Sequence, residues 1–266
     1  MIQVSKESEP DILKENKSQW TDNLMALVSQ YGSYNKIPPK EKDLAVEHYA
    51  HSDIRAALQN GKTNAKCVYC ESYLNVTGYP SIEHYYPKSI YPEHTFAWDN
   101  LFLSCTLCNV RKSNFDTKRN PFIHPQNDNP EDYLTFDNLI YTPISKIGLP
   151  YQKARNLIDN CNLERLELVR KHGEIFISFL KIMETLKVKL DQYESYKLAK
   201  KRLWCACDIL SSMKELDEEA SNDAEYAAFM RYLLRKYDEV KDAVKVIDAH
   251  KDELGLSNGF QWCFKF

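Results

Sequence analysis

Glycine is scarce in this chain, at seven of 266 residues beside eleven prolines. So few breakers, with 43% hydrophobic and 27% charged residues, exclude a disordered or low-complexity protein and leave apolar mass for one core or two. Nowhere do eighteen apolar residues stand together, which excludes a membrane-spanning helix. Met1 to Pro10 lacks the apolar run of a secretory signal, so the expectation is a cytoplasmic protein with no membrane partner. Internal repeats are absent. A strong positive charge is missing as well: the net charge is −3, and residues 151 to 266 carry twenty Lys/Arg against twenty Asp/Glu. That balance excludes a protein that grips a polyanion through bulk charge alone. Between Lys62 and Asn120 the balance turns positive, seven against five.

Cysteine is plentiful, with eight. Cys67-Val-Tyr-Cys70 and Cys105-Thr-Leu-Cys108 each set two thiols on a tight turn. In a chain of this size with no export signal, such pairs favour metal over cystine. Four soft sulfurs suit a tetrahedral, closed, structural Zn²⁺. This ion would pin together a turn-rich segment that cannot build a core of its own. Cys161, Cys205, Cys207 and Cys263 read as core thiols.

The expected architecture is mainly α, with a small module in the middle. Residues 1–61 form an N-terminal helical segment, with an apolar stripe at Trp20, Leu24, Leu27 and Val28. Pro38-Pro39 separates this helix from a second one carrying Ile54, Ala57 and Leu58, with Ser52 as its N-cap and Asn60-Gly61 as its stop. Residues 62–145 are short, aromatic and turn-rich, and close in a hairpin around Asp137-Asn138. Residues 146–266 form a C-terminal helical bundle. Its long amphipathic helices are marked by Phe176 to Tyr193 and by Tyr226 to Ile247, both in steps of three and four, with a third helix around Leu203, Cys207 and Leu210. The aromatic end, Phe260 to Phe266, is too apolar to float and docks on the fold or on a partner.

Between the cysteine pairs stand Ile82-Glu83-His84-Tyr-Tyr-Pro87-Lys-Ser89 and Trp98-Asp99-Asn100-Leu101, and the second pair runs into Asn109-Val-Arg111-Lys112. In this order the residues resemble the HNH endonuclease motif, the ββα-metal fold in its four-cysteine zinc form. The resemblance implies a phosphodiester hydrolase. His84 would be the general base, a role a neutral imidazole suits. Glu83 and Asn109 would hold a catalytic divalent ion, Mg²⁺ or Mn²⁺ given oxygen ligands, and Asn100 would brace the loop that orients the base. Ser113, one turn after Asn109, stands where some members supply a further metal ligand; Asp116 or His124 substitutes for it, or water and phosphate complete the shell. Lys88, Arg111, Lys112, Lys118 and Arg119 are the candidate phosphate contacts.

Further matches extend the resemblance to the HNH proteins of Septu-type anti-phage systems, the PtuB family, over roughly residues 1 to 172. They include Asp53-Ile-Arg-Ala-Ala-Leu58, Asn120-Pro-Phe-Ile-His-Pro125 and Arg155-Asn-Leu-Ile-Asp-Asn-Cys-Asn-Leu163. This implies a nuclease subunit acting on DNA or RNA with a PtuA-like ATPase of the ABC/SMC kind. Some such systems also contain a retron reverse transcriptase with its RNA-linked DNA. Two other readings remain open from the residues: a stand-alone restriction or homing-type HNH enzyme, and a zinc-stabilised adaptor that cuts nothing.

Overall fold

The apolar stripe of the first thirty residues makes the helix its period predicts. In a computed structural model that describes residues 1–59, 66–74, 80–256 and 260–264, α1 runs over Asp11–Tyr31 and buries Leu13 and Leu24. It stops where Gly32 takes a left-handed φ of 79°, a conformation that costs glycine little. Pro38-Pro39 does more than separate two helices: Pro39 opens a helix of its own, α2 (Pro39–Val46). The proline ring presets φ at the first helical position, where no amide donor is needed. α3 follows at Ser52–Gln59 and buries Ile54 and Leu58. Its first turn is capped by His51, whose Nδ1 accepts from Asp53 N–H at 3.2 Å. The Asn60-Gly61 stop lies outside the described residues.

The middle of the chain builds a small ββα arrangement. β1 (Ser81–His84) pairs antiparallel with β2 (Leu101–Ser104), with Glu83 opposite Phe102 and His84 opposite Leu101. A seven-residue helix, α4 (Thr106–Lys112), follows directly. The expected hairpin forms from β3 (Leu134–Asp137) and β4 (Ile140–Pro143), with Asn138 at φ 54° in its turn. α5 spans Gly148–Asn160. The chain divides into two compact units, Met1–Glu164 and Arg165–Phe266. The first therefore contains the N-terminal helices, the ββα arrangement, the hairpin and α5.

The second unit is all helix among its described residues: α6 (Leu166–Ser195), α7 (Ala199–Glu219), α8 (Ala227–Lys236) and α9 (Asp238–Ala249). Phe179, Met183 and Leu186 of α6 and Ile209, Met213 and Leu216 of α7 are buried. Each contributes roughly 1.5–3 kcal/mol of apolar burial. The stripe from Tyr226 to Ile247 is not one helix. Tyr237 is extended (φ −101°, ψ 122°) and ends α8 while it opens α9. Charges explain the break: Arg235 and Lys236 sit at the negative end of α8, and Asp238 and Glu239 at the positive end of α9. The aromatic end docks on this unit, with Phe264 buried and Cys263 N–H donating to Asp217 Oδ1 of α7 at 2.6 Å. Cys207 and Cys263 are exposed, not core thiols; Cys161 and Cys205 are buried as expected.

No helix among the described residues is long and apolar enough to cross a membrane.

Candidate functional site

The cysteine cluster forms first from local geometry. Cys67 and Cys70 lie on one turn, and Cys105 and Cys108 at the start of α4, where Cys105 Sγ accepts from Cys108 N–H at 3.5 Å as the helix cap. All four are buried, and their sulfurs lie within 4.8 Å of one another. Cys70 and Cys105 are 3.8 Å apart, close to the ~3.8 Å edge of a tetrahedron with ~2.3 Å metal–sulfur bonds. The donor set therefore fits a structural metal ion. It ties the start of α4 to the Cys67–Cys70 turn, whose Val68 N–H also reaches Leu103 O of β2 at 3.0 Å.

On the same small sheet, His84 ends β1 as a buried side chain, 6% exposed. Its Nε2 lies 3.0 Å from Thr95 O. A carbonyl only accepts, so Nε2 carries the proton and Nδ1 keeps its lone pair; no residue among those described hydrogen-bonds to Nδ1. The Tyr49 ring stands edge-on to the imidazole at 4.8 Å. Burial, reinforced by Lys88 and Lys112 and opposed by the Thr95 bond, pushes the imidazole pKa down to about 3. At neutral pH His84 is an uncharged base with its proton fixed on the far nitrogen.

Asn100 holds that arrangement together. It is 2% exposed. Its Oδ1 accepts from Tyr86 N–H at 2.6 Å, while Nδ2 donates to Tyr86 O at 3.1 Å and to His94 O at 2.9 Å. Its own carbonyl accepts from Tyr85 N–H at 2.9 Å. One carboxamide thus fastens the turn after His84 to the segment whose next carbonyl, Thr95 O, grips the His84 ring.

Glu83 is 3% exposed. Its Oε1 meets Lys112 Nζ at 2.5 Å and accepts from Tyr69 OH at 3.3 Å. Burial pushes the carboxyl pKa up, and the Lys112 charge and hydrogen bond pull it back. The Tyr69 hydrogen bond and the 2.5 Å Lys112 contact both fall on Oε1, and no hydrogen bond reaches Oε2 among the described residues. Lys112 departs from the expectation of a phosphate contact. It is 1% exposed, and its ammonium is used inside the module, on Glu83 and on His84 O at 2.9 Å.

A cleft of about 340 Å³ brings these groups together. Glu83, His84, Asn109, Ser113 and Lys88 line it, and so do Tyr49 and Arg55 from the N-terminal helical segment. Ser113 closes α4 at φ 45°. Asn100 lies behind the cleft. Arg111, Lys118 and Arg119 are exposed outside its lining. Asp116 and His124 are also outside it, both engaged in turns: Asp116 Oδ1 accepts from Lys118 and Arg119 N–H at 3.1 Å, and His124 Nδ1 from Gln126 and Asn127 N–H at 3.1 Å. Tyr49 carries no motif that marks it in the sequence, and Arg55, within the Asp53–Leu58 stretch of the resemblance, carried no site role there. Arg55 is brought in by α3 and by its bond to Pro80 O, 2.6 Å.

No family model matches the chain. Two curated proteins match, both named Septu protein PtuB. The one from Bacillus thuringiensis is 29% identical over 65% of this chain and 65% of its own length, a little under two thirds. The one from Bacillus mycoides (strain KBAB4) is 26% identical over 79% of this chain and 81% of its own length. The chain is thus similar to the Septu PtuB proteins over as much as 79% of its length.

Proposed function

We propose that this chain is a metal-dependent HNH-type endonuclease that hydrolyses phosphodiester bonds of DNA or RNA, acting as the nuclease subunit of an anti-phage defence complex. The observation that carries the reading is the cleft itself. A neutral His84, with its proton fixed on Nε2 by a backbone carbonyl, shares a 340 Å³ space with the Glu83 carboxylate and the Asn109 carboxamide.

The site's own residues account for the chemistry. His84 Nδ1 takes a proton from a water as that water's oxygen attacks phosphorus and the P–O bond to the leaving oxygen breaks. The leaving oxygen collects a proton from solvent. Glu83, through Oε2, and Asn109 supply the oxygen donors for a Mg²⁺ or Mn²⁺ ion, with Ser113 at the rim as a third. When bound, such an ion neutralises charge on the phosphoryl and leaving oxygens. Asn100 and Thr95 fix the orientation of the base, and Lys88 faces the incoming phosphate. Cys67, Cys70, Cys105 and Cys108 would hold a zinc ion that serves the fold.

Partnership follows from similarity to the Septu PtuB proteins together with charge. At net −3 the chain attracts nucleic acid weakly, so a PtuA-like ATPase delivers substrate to it, in some systems beside a retron reverse transcriptase and its RNA-linked DNA. The test is cleavage of plasmid DNA and cellular RNA with Mg²⁺ or Mn²⁺ by the wild-type chain and by His84→Ala, each with and without the ATPase. Cutting by the wild type that falls by at least a hundredfold, on the order of a removed general base, in His84→Ala is expected. Equal cutting by both proteins overturns the role of His84, and no cutting by either with the ATPase present favours the adaptor reading.

A further inference from the structure

The second unit balances its charges in sequence but not in space. From Ser195 to Cys207 there is no Asp or Glu, while Lys197, Lys200, Lys201 and Arg202 fall within six positions. All four are exposed, and none pairs with a carboxylate among the described residues. Other exposed or part-exposed lysines do meet acids: Lys14, Lys17, Lys153, Lys171, Lys241 and Lys245 each lie within 3.0 Å of one. The unpaired group is accompanied by aromatic rings. Lys200 Nζ lies over Trp204 at 5.1 Å, Lys201 over Tyr196 at 5.6 Å, and Arg202 over Tyr193 at 4.3 Å.

Trp204 is 60% exposed although α7 has a fully buried face at Cys205, Ala206 and Ile209. Lys200 and Trp204 stand one turn apart on the opposite, solvent side. Leaving so large a ring in water costs burial that a mainly apolar face would recover, and a cation-flanked indole offers a flat stacking surface. Duplex bases already stack on one another; an unpaired strand presents free base faces with phosphates at their edges.

We propose that the start of α7 is a binding surface for single-stranded nucleic acid, in which Lys197, Lys200, Lys201 and Arg202 meet phosphates and Trp204 stacks on a base. The surface belongs to the second unit and uses none of the cleft residues. Lys200, which covers the indole in the free protein, moves to a phosphate when a base takes its place. Each phosphate neutralised by a Lys or Arg releases a counterion condensed on the strand and so makes binding salt-dependent, whereas the stacked ring does not.

The experiment uses the full chain carrying His84→Ala, so that no strand is consumed, and a labelled mixed-sequence single-stranded oligonucleotide followed by fluorescence anisotropy over a salt series. Changing Lys197, Lys200 and Lys201 to Ala is expected to weaken binding and to lower the slope of log affinity against log salt by about 2. Trp204→Ala is expected to weaken binding about tenfold with the slope retained, and Trp204→Phe to restore part of it. Circular dichroism of the variants confirms that the helices persist, as exposed positions require. Unchanged affinity and slope in the triple variant overturn the proposal, as does equal binding by Trp204→Ala. Binding to phosphatidylserine vesicles with none to the oligonucleotide replaces it with a membrane surface. Since the background protein cannot use His84, each outcome is read separately from whether the cleft cuts.

Discussion

Lys112 shows how far one residue can depart from its motif. Placed three positions after Asn109 among other basic residues, it reads as a phosphate contact, yet it is buried against Glu83 and the carbonyl of His84. The reason is geometric: α4 lies on the small sheet, and its last turn directs the residue at 112 inward while Arg111 and Ser113 face solvent. A lone carboxylate at 3% exposure needs a cation, and Lys112 supplies it. Removing one partner leaves the other charged and unpaired, so Lys112→Met is expected to lower stability by about 3 kcal/mol or more. Adding Glu83→Gln to it should recover a large part. Urea denaturation of the two single variants and the double, without added Mg²⁺ or Mn²⁺, measures the coupling. Strictly additive losses would show that the pair contributes nothing. Asn100, to which the HNH resemblance assigns a bracing role, makes three side-chain bonds, to Tyr86 and His94. That Tyr49 and Arg55 line the cleft was not legible, although Arg55 stands in a stretch of the resemblance, because what brings them to His84 is the packing of one helical segment on the sheet, which no local spacing encodes.

Among the elements, those specified by nearest neighbours were readable, and those specified by context were not. The cysteine pairs, the β1 strand and the hairpin follow from residues two to four apart. The second long stripe of the C-terminal region did not remain a helix, because a three-four count registers side-chain spacing and is blind to a single extended residue such as Tyr237. Its charge pattern, basic then acidic across the break, was the overlooked signal. The four-cysteine turn has a sharper consequence. The sulfurs of its first pair lie within 4.8 Å of those at the start of α4. Stripping the metal with a strong chelator is expected to lower the melting temperature of the first unit and to release one zinc per cluster, as measured by calorimetry and elemental analysis. Cys70→Ser should do the same without chelator. A melting temperature indifferent to both would remove the metal from the fold.

At the scale of the whole molecule, two buried imidazoles contribute to the response to acid. His84 and His124 titrate at about 3 and about 4 in the folded chain, each lowered mainly by burial from the ordinary value of 6.5. Between those values the unfolded chain binds protons that the folded chain refuses, so stability is full above about pH 6.5 and falls as the pH drops toward 3 to 4. For His84 the limiting slope is about 1.4 kcal/mol per pH unit. Urea denaturation from about pH 7 to pH 5 should therefore show declining stability, with a shallower decline in His84→Gln than in the wild type. Identical slopes in the two proteins would show that His84 is not held neutral by the fold.

The first residues of the chain bear on when the site comes into being. Lys6 Nζ holds the carbonyls of Trp98 and Leu101, 92 and 95 positions later, and Gln3 reaches Gln126 across 123 positions. These contacts flank the stretch that carries Thr95 and Asn100, the two residues that seat the His84 ring. A chain still emerging from the ribosome has its earliest residues long before their partners exist, and contacts at such separations form late. The segment behind the base is therefore braced from this side only once residues 98 to 126 have been made and have folded back onto residues 3 and 6. Under the proposed function, the cleft of a shorter chain is not yet braced for cutting.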